Sequence, residues 1–266
     1  MPTDTAVPPA LRVVNYAHRG ASGLAPENTL VAFAAAATHQ AGAVELDVRR
    51  TLDGHLVVMH DPTPRRTTNV AEVFPDRADA PVHAFTLAEL RRLDAGGWFD
   101  PRYAGERVPT LDEAMDVLAG HQLRLLLEAK TPSGYPGMAG QIAHILRDQR
   151  AQWLAAPGQV IVESFEEAFI RELRAVLPRV PVGFLGAPTP QQLVGFATFC
   201  DQINPHSVGL TAEYIERVHQ FGMAVNVWTV DDPDDMLAAV AAGVDGIISN
   251  RPDLFTATFG AAPQLN

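Results

Sequence analysis

The residue types best suited to chemistry lie in three short motifs near the start of the chain, Ala17–Gly20, Glu45–Asp47 and Met59–Asp61. The first and third motifs each contain a histidine, and an unperturbed imidazole exchanges protons near neutral pH. The middle motif contains two carboxylates, which are suitable ligands for a hard cation. The arginine of the first motif is able to bind an anion. This combination favours the cleavage of a phosphate ester.

The two acids of the middle motif are expected to hold a divalent cation. Glu45 and Asp47 are two residues apart, so in a strand they share one face with Cα atoms roughly 7 Å apart. Burying both charges without partners costs several kcal/mol, and a cation removes that cost. Glu128, after the next core strand, is a third oxygen ligand, and the set favours Mg²⁺ or Ca²⁺ over zinc. The alternative is ion pairing with basic neighbours, namely Arg19, Arg49 and Lys130.

His18 and His60 are the candidate proton carriers. Phosphodiester cleavage needs one group to deprotonate the nucleophile and another to protonate the departing alkoxide. The alternative for each histidine is a structural, hydrogen-bonded role, and Asp61 is expected either to orient His60 or to begin the next loop. The other histidines are expected at structural or surface positions: His39, His55, His83, His121, His144, His206 and His219.

Further polar and aromatic residues end other apolar runs. Arg19 and Lys130 are candidates for binding the phosphate oxygens, with local ion pairing as the alternative. Trp228 is a candidate for substrate binding as an apolar wall for the alcohol, or for plain packing. Glu163 and Asn250 are candidates only for orienting roles or for the structure of the rim.

The elements that position these residues alternate between β-rich runs and helix-period segments. A hairpin through Thr51–Gly54 and a returning strand His55–Met59 are expected to carry His60 back to the rim. Eight other strands in about 250 residues predict an α/β fold, a closed (β/α)₈ TIM barrel, whose active sites form at the C-terminal strand ends. No G-x-G-x-x-G motif favours a dinucleotide-binding sheet. The eight strands are Val13–Ala17, Val44–Val48, Leu123–Leu127, Val160–Val162, Val182–Leu185, Asp201–Ile203, Ala224–Val227 and Gly246–Ile248.

Helical segments are predicted between the strands, and the whole chain, 1–266, is expected to be a single catalytic domain. Thr110 and Glu113 form a capping-box pattern before the helix Leu111–Leu118. The stretch Pro62–Val108 looks irregular around one short helix, Leu87–Leu93, and is predicted to be an insertion. The other predicted helices are Asn28–His39, Glu167–Leu177, Gln191–Thr198, Ala212–Phe221, Pro233–Ala242 and a closing helix.

Composition and charge limit the possible partners and location. The 266 residues are 47% hydrophobic with a net charge of −11, which disfavours nucleic acid as a partner. No run approaches the about 18 apolar residues of a membrane span. Residues Met1–Val14 lack the pattern of a secretory signal, and the one cysteine, Cys200, fits a reducing compartment, so the cytoplasm is expected. The sequence does not define an oligomeric state.

The ordered motifs resemble the glycerophosphodiester phosphodiesterase family over about residues 14–255. The resemblance runs through AHRGASGLAPENTLVAF, VELDVRRTLDGHLVVMHDPTPRRTTN, FTLAELRRLDAGGWF, RVPTLDEAMDVL, LLLEAK, VNVWTVDD and GVDGIISNRPDL. It implies a TIM barrel with a small insertion after the second histidine motif. It also implies His18 and His60 as general acid and base, metal ligation by Glu45, Asp47 and Glu128, and phosphate binding by Arg19 and Lys130.

The activity that the resemblance implies is metal-dependent hydrolysis of glycerophosphodiesters, such as deacylated phospholipids, to glycerol 3-phosphate and an alcohol. That activity belongs to lipid and glycerol metabolism. One alternative is a lysophospholipase D or sphingomyelinase D type phosphodiesterase, and another is a non-catalytic phosphoester-binding protein. Where family members often have a glycine-rich segment after the residues matching Arg66–Asn69, this chain has Val70–Pro75, so the resemblance does not define the leaving alcohol.

Overall fold

Eight parallel strands close into a barrel in the computed structural model, which describes residues 13–156 and 158–260. The strand order is β1-β9-β8-β7-β6-β5-β4-β2-β3, and pairing of β1 with β2 closes the ring. The predicted (β/α)₈ TIM barrel is therefore confirmed. The strands are β1 Val14–His18, β2 Ala43–Arg50, β3 Leu56–Val58, β4 Arg124–Ala129, β5 Val160–Ser164, β6 Val182–Leu185, β7 Gln202–Asn204, β8 Ala224–Val227 and β9 Gly246–Ser249.

Helices lie between the barrel strands, and local capping explains several of their boundaries. The capping box at Thr110 and Glu113 is present, with each side chain bonded to the other's backbone N–H. The first helix begins at Leu30, two residues later than predicted, because Thr29 caps it and Asn28 has a φ of 58°. The helices are α1 Leu30–Thr38, α2 Val70–Val73, α3 Leu87–Leu90, α4 Leu111–Gly120, α5 Met138–His144, α6 Glu167–Val176, α7 Pro190–Phe196, α8 Ala212–His219, α9 Pro233–Ala242 and α10 Pro252–Phe259.

The predicted hairpin is confirmed, and it explains how His60 reaches the C-terminal rim. Strand β3 runs antiparallel to β2, with Val48 opposite Val58. Gly54 has a φ of 88°, a conformation that glycine adopts without steric cost, and it closes the turn. Beyond β3, the Met59 N–H donates to the Asp47 carbonyl at 2.9 Å. The chain therefore passes directly from the hairpin to the end of β2 that carries the acids.

The stretch 62–108 is irregular as predicted, but it contains more helix than the one expected segment. The predicted helix Leu87–Leu93 ends at Leu90, and a second short helix, α2, lies upstream. This stretch also packs against β3 through a small apolar core of its own. Its members are Val57, Met59, Val70, Val82, Phe85, Leu90, Leu93, Ala95 and Val108.

The two ends of the same stretch are joined at its base. Val57 forms an antiparallel bridge with Thr110, and the Val58 N–H donates to the Pro109 carbonyl at 2.9 Å. The stretch therefore leaves the barrel at β3 and returns to α4 at neighbouring positions.

Helix α5 and a following π-helical segment, Ile145–Gln149, fill the connection between β4 and β5, for which no helix bounds were predicted. Cys200 is a buried free thiol. Among the helices of residues 13–156 and 158–260, none is long and apolar enough to cross a membrane. The segment Met1–Val14, apart from Val13 and Val14, lies outside the described residues.

Candidate active site

A cavity of about 250 Å³ opens at the C-terminal ends of the barrel strands. One half of its wall is charged and the other half is apolar. Every catalytic, metal-binding or substrate-binding residue predicted from the sequence lines this cavity except Asp47, which lies two residues after Glu45 on β2 and opposite Glu128 on β4. The lining residues are His18, Arg19, Glu45, His60, Glu128, Lys130, Glu163, Phe165, Leu185, Trp228, Thr229 and Ile248.

Glu45, Asp47 and Glu128 form a buried acidic cluster, which we call the acidic triad. Asp47 on β2 is the register partner of Glu128 on β4, and one carboxylate oxygen of each residue lies within 4.8 Å of the other two. All three side chains are buried. Glu45 Oε1 and Asp47 Oδ1 accept no hydrogen bond within the described part of the chain, and Glu128 Oε1 has Lys130 Nζ as its only ion-pair partner there, at 2.7 Å.

The electrostatics of the triad show strong mutual repulsion. Burial and the charge of Asp47 raise the pKa of Glu45 well above its usual value, and they raise the pKa of Glu128 to about 8. Burial also acts on Asp47, but the charges of Arg19 and Lys130 outweigh it and lower its pKa to about 2. Without a further cation, the folded protein therefore favours protonated Glu45 and Glu128 beside an ionised Asp47 at neutral pH.

The donor set of the triad fits a hard divalent cation. Three carboxylates supply oxygen ligands only, which suits Mg²⁺ or Ca²⁺ better than a thiophilic metal. Buried polar atoms without partners are rare in folded proteins, and the acidic triad contains two of them among the described residues, Glu45 Oε1 and Asp47 Oδ1. The triad is therefore able to hold a metal ion through one oxygen of each residue.

The alternative of ion pairing is realised in part and does not satisfy the triad. Lys130 Nζ lies 2.7 Å from Glu128 Oε1 and 3.5 Å from Asp47 Oδ1, and Arg19 Nε lies 3.5 Å from Asp47 Oδ2. Arg49 points elsewhere and donates to the His60 carbonyl. Two basic residues thus face three acids.

Arg19 occupies an unusual backbone conformation that ties the first motif to the triad. Its φ of 56° lies in the left-handed region, and its backbone N–H donates to Glu45 Oε2 at 3.0 Å. Gly20 follows with a φ of 79°, and a Cβ there would lie 2.7 Å from the Ala32 carbonyl carbon. Only glycine fits this position, which explains its place after the arginine.

His18 is held by a chain of hydrogen bonds on the side away from the triad. Its Nδ1 lies 2.6 Å from Asn250 Oδ1, while its Nε2 lies 3.9 Å from Glu45 Oε2. Burial and the charge of Arg19 lower the pKa of His18 to about 4, so the ring is neutral at pH 7 before substrate binds. Asn250, considered only as an orienting or rim residue from the sequence, therefore contacts His18 directly.

His60 is oriented by the carboxylate next to it in the chain. Its Nδ1 lies 2.7 Å from Asp61 Oδ1, the orienting contact that the sequence offered as one of two alternatives. Arg66 in turn makes two hydrogen bonds to Asp61 and two to Glu27. Burial lowers the pKa of His60, although the charge of Asp47 and the hydrogen bond to Asp61 act in the opposite direction.

The apolar half of the cavity is built around Trp228. Its Nε1 donates to the Asn204 carbonyl at 2.9 Å, which fixes the ring. Phe165, half-exposed at the mouth, meets that ring edge-on with centroids 5.8 Å apart, and His206 contacts it at 4.9 Å. His206 was expected at a structural or surface position and is exposed, yet it extends this aromatic wall.

Several residues at the site were not singled out from the sequence. Asn28 donates to Asp47 Oδ2 at 2.8 Å, and Glu27 accepts hydrogen bonds from Arg19 and Arg66. By contrast, Glu163 was a candidate orienting or rim residue from the sequence, and it is buried in the cavity wall, where burial raises its pKa to about 7. The available signal for the first two was the Glu27-Asn28-Thr29 run directly before α1, where polar residues precede an alanine-rich helix.

Comparison with known proteins identifies close sequence relatives. Residues 18–254 match the profile of the glycerophosphoryl diester phosphodiesterase family. The chain is 33% identical to a glycerophosphodiester phosphodiesterase of Bacillus subtilis, covering 92% of this chain and 85% of the relative. It is 34% identical to one from Caldanaerobacter subterraneus subsp. tengcongensis, covering 91% and 96% respectively.

Solved structures agree with the sequence matches. An Oleispira antarctica phosphodiesterase in complex with the product sn-glycerol-3-phosphate has a TM-score of 0.82 and 28% identity. The match covers 91% of this chain and 95% of that one. The similarity therefore extends over the whole barrel.

Proposed function

The chain belongs to the glycerophosphodiester phosphodiesterase family and is an enzyme of that class, and from this premise we propose how its site works. We propose that it hydrolyses glycerophosphodiesters to glycerol 3-phosphate and an alcohol, with a divalent cation held by Glu45, Asp47 and Glu128. The observation that carries the proposal is the convergence of three buried carboxylates, two of them with an oxygen that has no hydrogen-bond partner among the described residues, beside two histidines at one cavity. The product seen in the Oleispira antarctica structure supports the same chemistry.

Phosphate binding is assigned to the basic residues of the charged half. A bound divalent cation supplies positive charge for the phosphoryl oxygens. Arg19 offers a planar set of N–H donors, and its Nε has no hydrogen-bond partner within the described residues. Lys130 adds a point charge from the end of β4. Both residues stabilise the charge that develops on the phosphoryl oxygens in the transition state.

Proton transfer is assigned to the two histidines through their free Nε2 atoms. In both rings Nδ1 faces an acceptor oxygen, so Nδ1 carries a proton and Nε2 is available for exchange. His18 has a neutral amide partner and a strongly lowered pKa, so it is assigned as the base that deprotonates the nucleophile. His60 has the Asp61 carboxylate, which stabilises its positive form, so it is assigned as the acid that protonates the leaving alkoxide.

The alcohol is assigned to the apolar half of the cavity. Trp228 forms its fixed wall, and Phe165 extends that wall toward solvent. An apolar surface next to the charged half orients a diester so that phosphate and alcohol occupy different sides.

An assay of glycerophosphocholine cleavage tests the proposal. We expect release of glycerol 3-phosphate and choline, loss of turnover in EDTA, and recovery when Mg²⁺ or Ca²⁺ is added back. Release of phosphocholine would show that another bond is cleaved. Turnover only of lysophosphatidylcholine would support the lysophospholipase D alternative, and binding without turnover of either compound would support the non-catalytic one.

A further inference from the structure

We propose that Asp231 is a positioning residue that determines, through the amide of Asn250, which ring nitrogen of His18 carries the proton. Asp231 lies in the loop between β8 and α9, and Asn250 follows β9 directly. Neither the family match nor the proposed function assigns a role to Asp231. The inference rests on the proposed function in one respect, the assignment of His18 as the base that accepts a proton.

The hydrogen bonds around Asn250 form a continuous chain. Asp231 Oδ2 accepts from Asn250 Nδ2 at 2.7 Å, and Asp231 Oδ1 accepts from the Asn250 backbone N–H at 2.7 Å. Ser249 Oγ also donates to Asp231 Oδ1, at 3.0 Å. On its other side, Asn250 Oδ1 lies 2.6 Å from His18 Nδ1 and accepts from Ser22 Oγ at 2.8 Å.

The direction of donation along this series of hydrogen bonds is fixed, because a carboxylate only accepts hydrogen bonds. Asp231 therefore requires the amino group of the Asn250 amide to face it, which turns the amide oxygen toward His18. An oxygen at 2.6 Å requires a proton on His18 Nδ1. The lone pair of the neutral ring is then on Nε2, the atom on the side of Glu45.

No other contact of the amide imposes this direction among the described residues. The Ser22 hydroxyl either donates or accepts, so it tolerates both orientations of the amide. If the amide turned over, its amino group would face His18 Nδ1 and the proton would move to Nε2. His18 would then present a donor where the reaction needs an acceptor.

The substitution Asp231→Asn inverts the arrangement without changing side-chain size. Two donors, the Asn250 N–H and the Ser249 hydroxyl, keep the new oxygen at the Oδ1 position. The new amino group then occupies the Oδ2 position and requires the Asn250 oxygen to face it. We expect the His18 tautomer to change from Nδ1–H to Nε2–H.

The direct measurement is long-range ¹H–¹⁵N correlation NMR of ¹⁵N-histidine-labelled protein at a pH where the ring is neutral. The His18 signals are identified by their loss in His18→Ala. We expect Nδ1–H in the wild type, Nε2–H in Asp231→Asn, and Nδ1–H again in Asp231→Asn/Asn250→Asp, because the new carboxylate at position 250 accepts from both neighbours. We expect kcat for glycerophosphocholine to fall about 10–100-fold in Asp231→Asn, with little change in KM.

Asp234→Asn is the matched control. Asp234 is exposed in the first turn of α9, three residues after Asp231, and makes no hydrogen bond to Asn250. We expect this variant to keep the wild-type tautomer and kcat. An unchanged tautomer in Asp231→Asn, or no return in the double variant, overturns the inference. If the wild type lacks glycerophosphodiesterase activity, the proposed function fails, while the NMR comparison still decides the role of Asp231.

Discussion

At the scale of single residues, the charge state of each acid at the barrel mouth depends on its neighbours. The pKa of Asp47 is lowered by two basic side chains, whereas those of Glu45 and Glu128 are raised by burial and by Asp47. Replacing one acid by its amide therefore has two opposite consequences. The substitution removes the negative charge of a metal ligand, and it also removes a buried charge that repels the other two acids.

Glu45→Gln is expected to separate these two effects. We expect metal affinity to fall at least about tenfold, because the site loses one of three anionic ligands. The melting temperature of the metal-free protein is expected to stay level or rise, because the amide is neutral without binding a proton. Calorimetric metal titration and thermal melts in EDTA measure the two effects, with the exposed Glu167→Gln as control. Unchanged metal affinity would remove Glu45 from the metal site.

The acid and base assignments are tested by changing the leaving group. His60→Ala is expected to lower kcat for glycerophosphocholine about 10²–10⁴-fold, because general acid catalysis is lost. With a nitrophenyl ester of glycerol 3-phosphate the loss is expected to be far smaller, since nitrophenolate leaves without a proton. His18→Ala is expected to lower kcat for both substrates. Equal losses with both substrates in His60→Ala would contradict its role as the acid.

Local spacing in the sequence was sufficient for some site residues and not for others. The two-residue spacing of Glu45 and Asp47 predicted their shared position, because alternation in a strand is a local property. The contact between His18 and Asn250 joins residues 232 positions apart, so it depends on closure of the barrel. The roles assigned to the predicted site residues stay predictions until the variants are measured.

At the scale of elements, helix starts and the hairpin were predictable because their signals are local. The capping box at Thr110 and the turn before β3 are read from a few consecutive residues. The stretch 62–108 was harder, because its short helices are stabilised by packing on β3 rather than by periodicity. Its division from the barrel as an insertion within one catalytic domain stays a prediction.

Arg66 links this stretch to the site. It makes paired hydrogen bonds to Glu27 and to Asp61, and Asp61 orients His60. We expect Arg66→Met to lower kcat about 10–100-fold, because Asp61 loses the partner that holds it beside His60. Steady-state kinetics with glycerophosphocholine measure the change.

The neighbouring Arg65→Met is the control for that experiment. Within the described ranges Arg65 pairs only with Asp79, whose side chain is 81% exposed, and we expect its loss to leave kcat unchanged. Similar losses in the two variants would show that Arg66 acts through general stability of the stretch and not through Asp61.

At the scale of the whole molecule, the buried acids make folding stability depend on pH. Without metal, burial raises the pKa of Glu128 to about 8 and of Glu163 to about 7, against about 4.3 in an unfolded chain. The folded state therefore binds more protons than the unfolded state between those values, and stability falls as pH rises through this window. Asp47 does not contribute there, because its lowered pKa lies below the window, whereas the lowered pKa of His18, about 4 against about 6.5 in an unfolded chain, opposes the trend below pH 6.5.

We accordingly expect the melting temperature in EDTA to fall as the pH rises from about 5 to about 8. Saturating Mg²⁺ or Ca²⁺ is expected to raise the melting temperature. At a metal concentration 100 times Kd, the free energy of unfolding increases by about 2.7 kcal/mol. Glu128→Gln is expected to flatten the pH dependence in EDTA, whereas the exposed Glu167→Gln is expected to keep it. Scanning calorimetry across this pH range provides the measurement, and a wild-type melting temperature independent of pH would contradict the buried-acid account.

The joined base of the stretch 62–108 bears on how much this part of the chain is able to change in length during evolution. Because Val57 and Thr110 are paired, the two points at which the stretch joins the barrel stay close together whatever the length of chain between them. Doubling the length of a flexible loop costs only about 0.6 kcal/mol in closure entropy. Lineages are therefore free to lengthen the segment between these anchor points at little cost in stability, provided that the contact of Arg66 with Asp61 is kept.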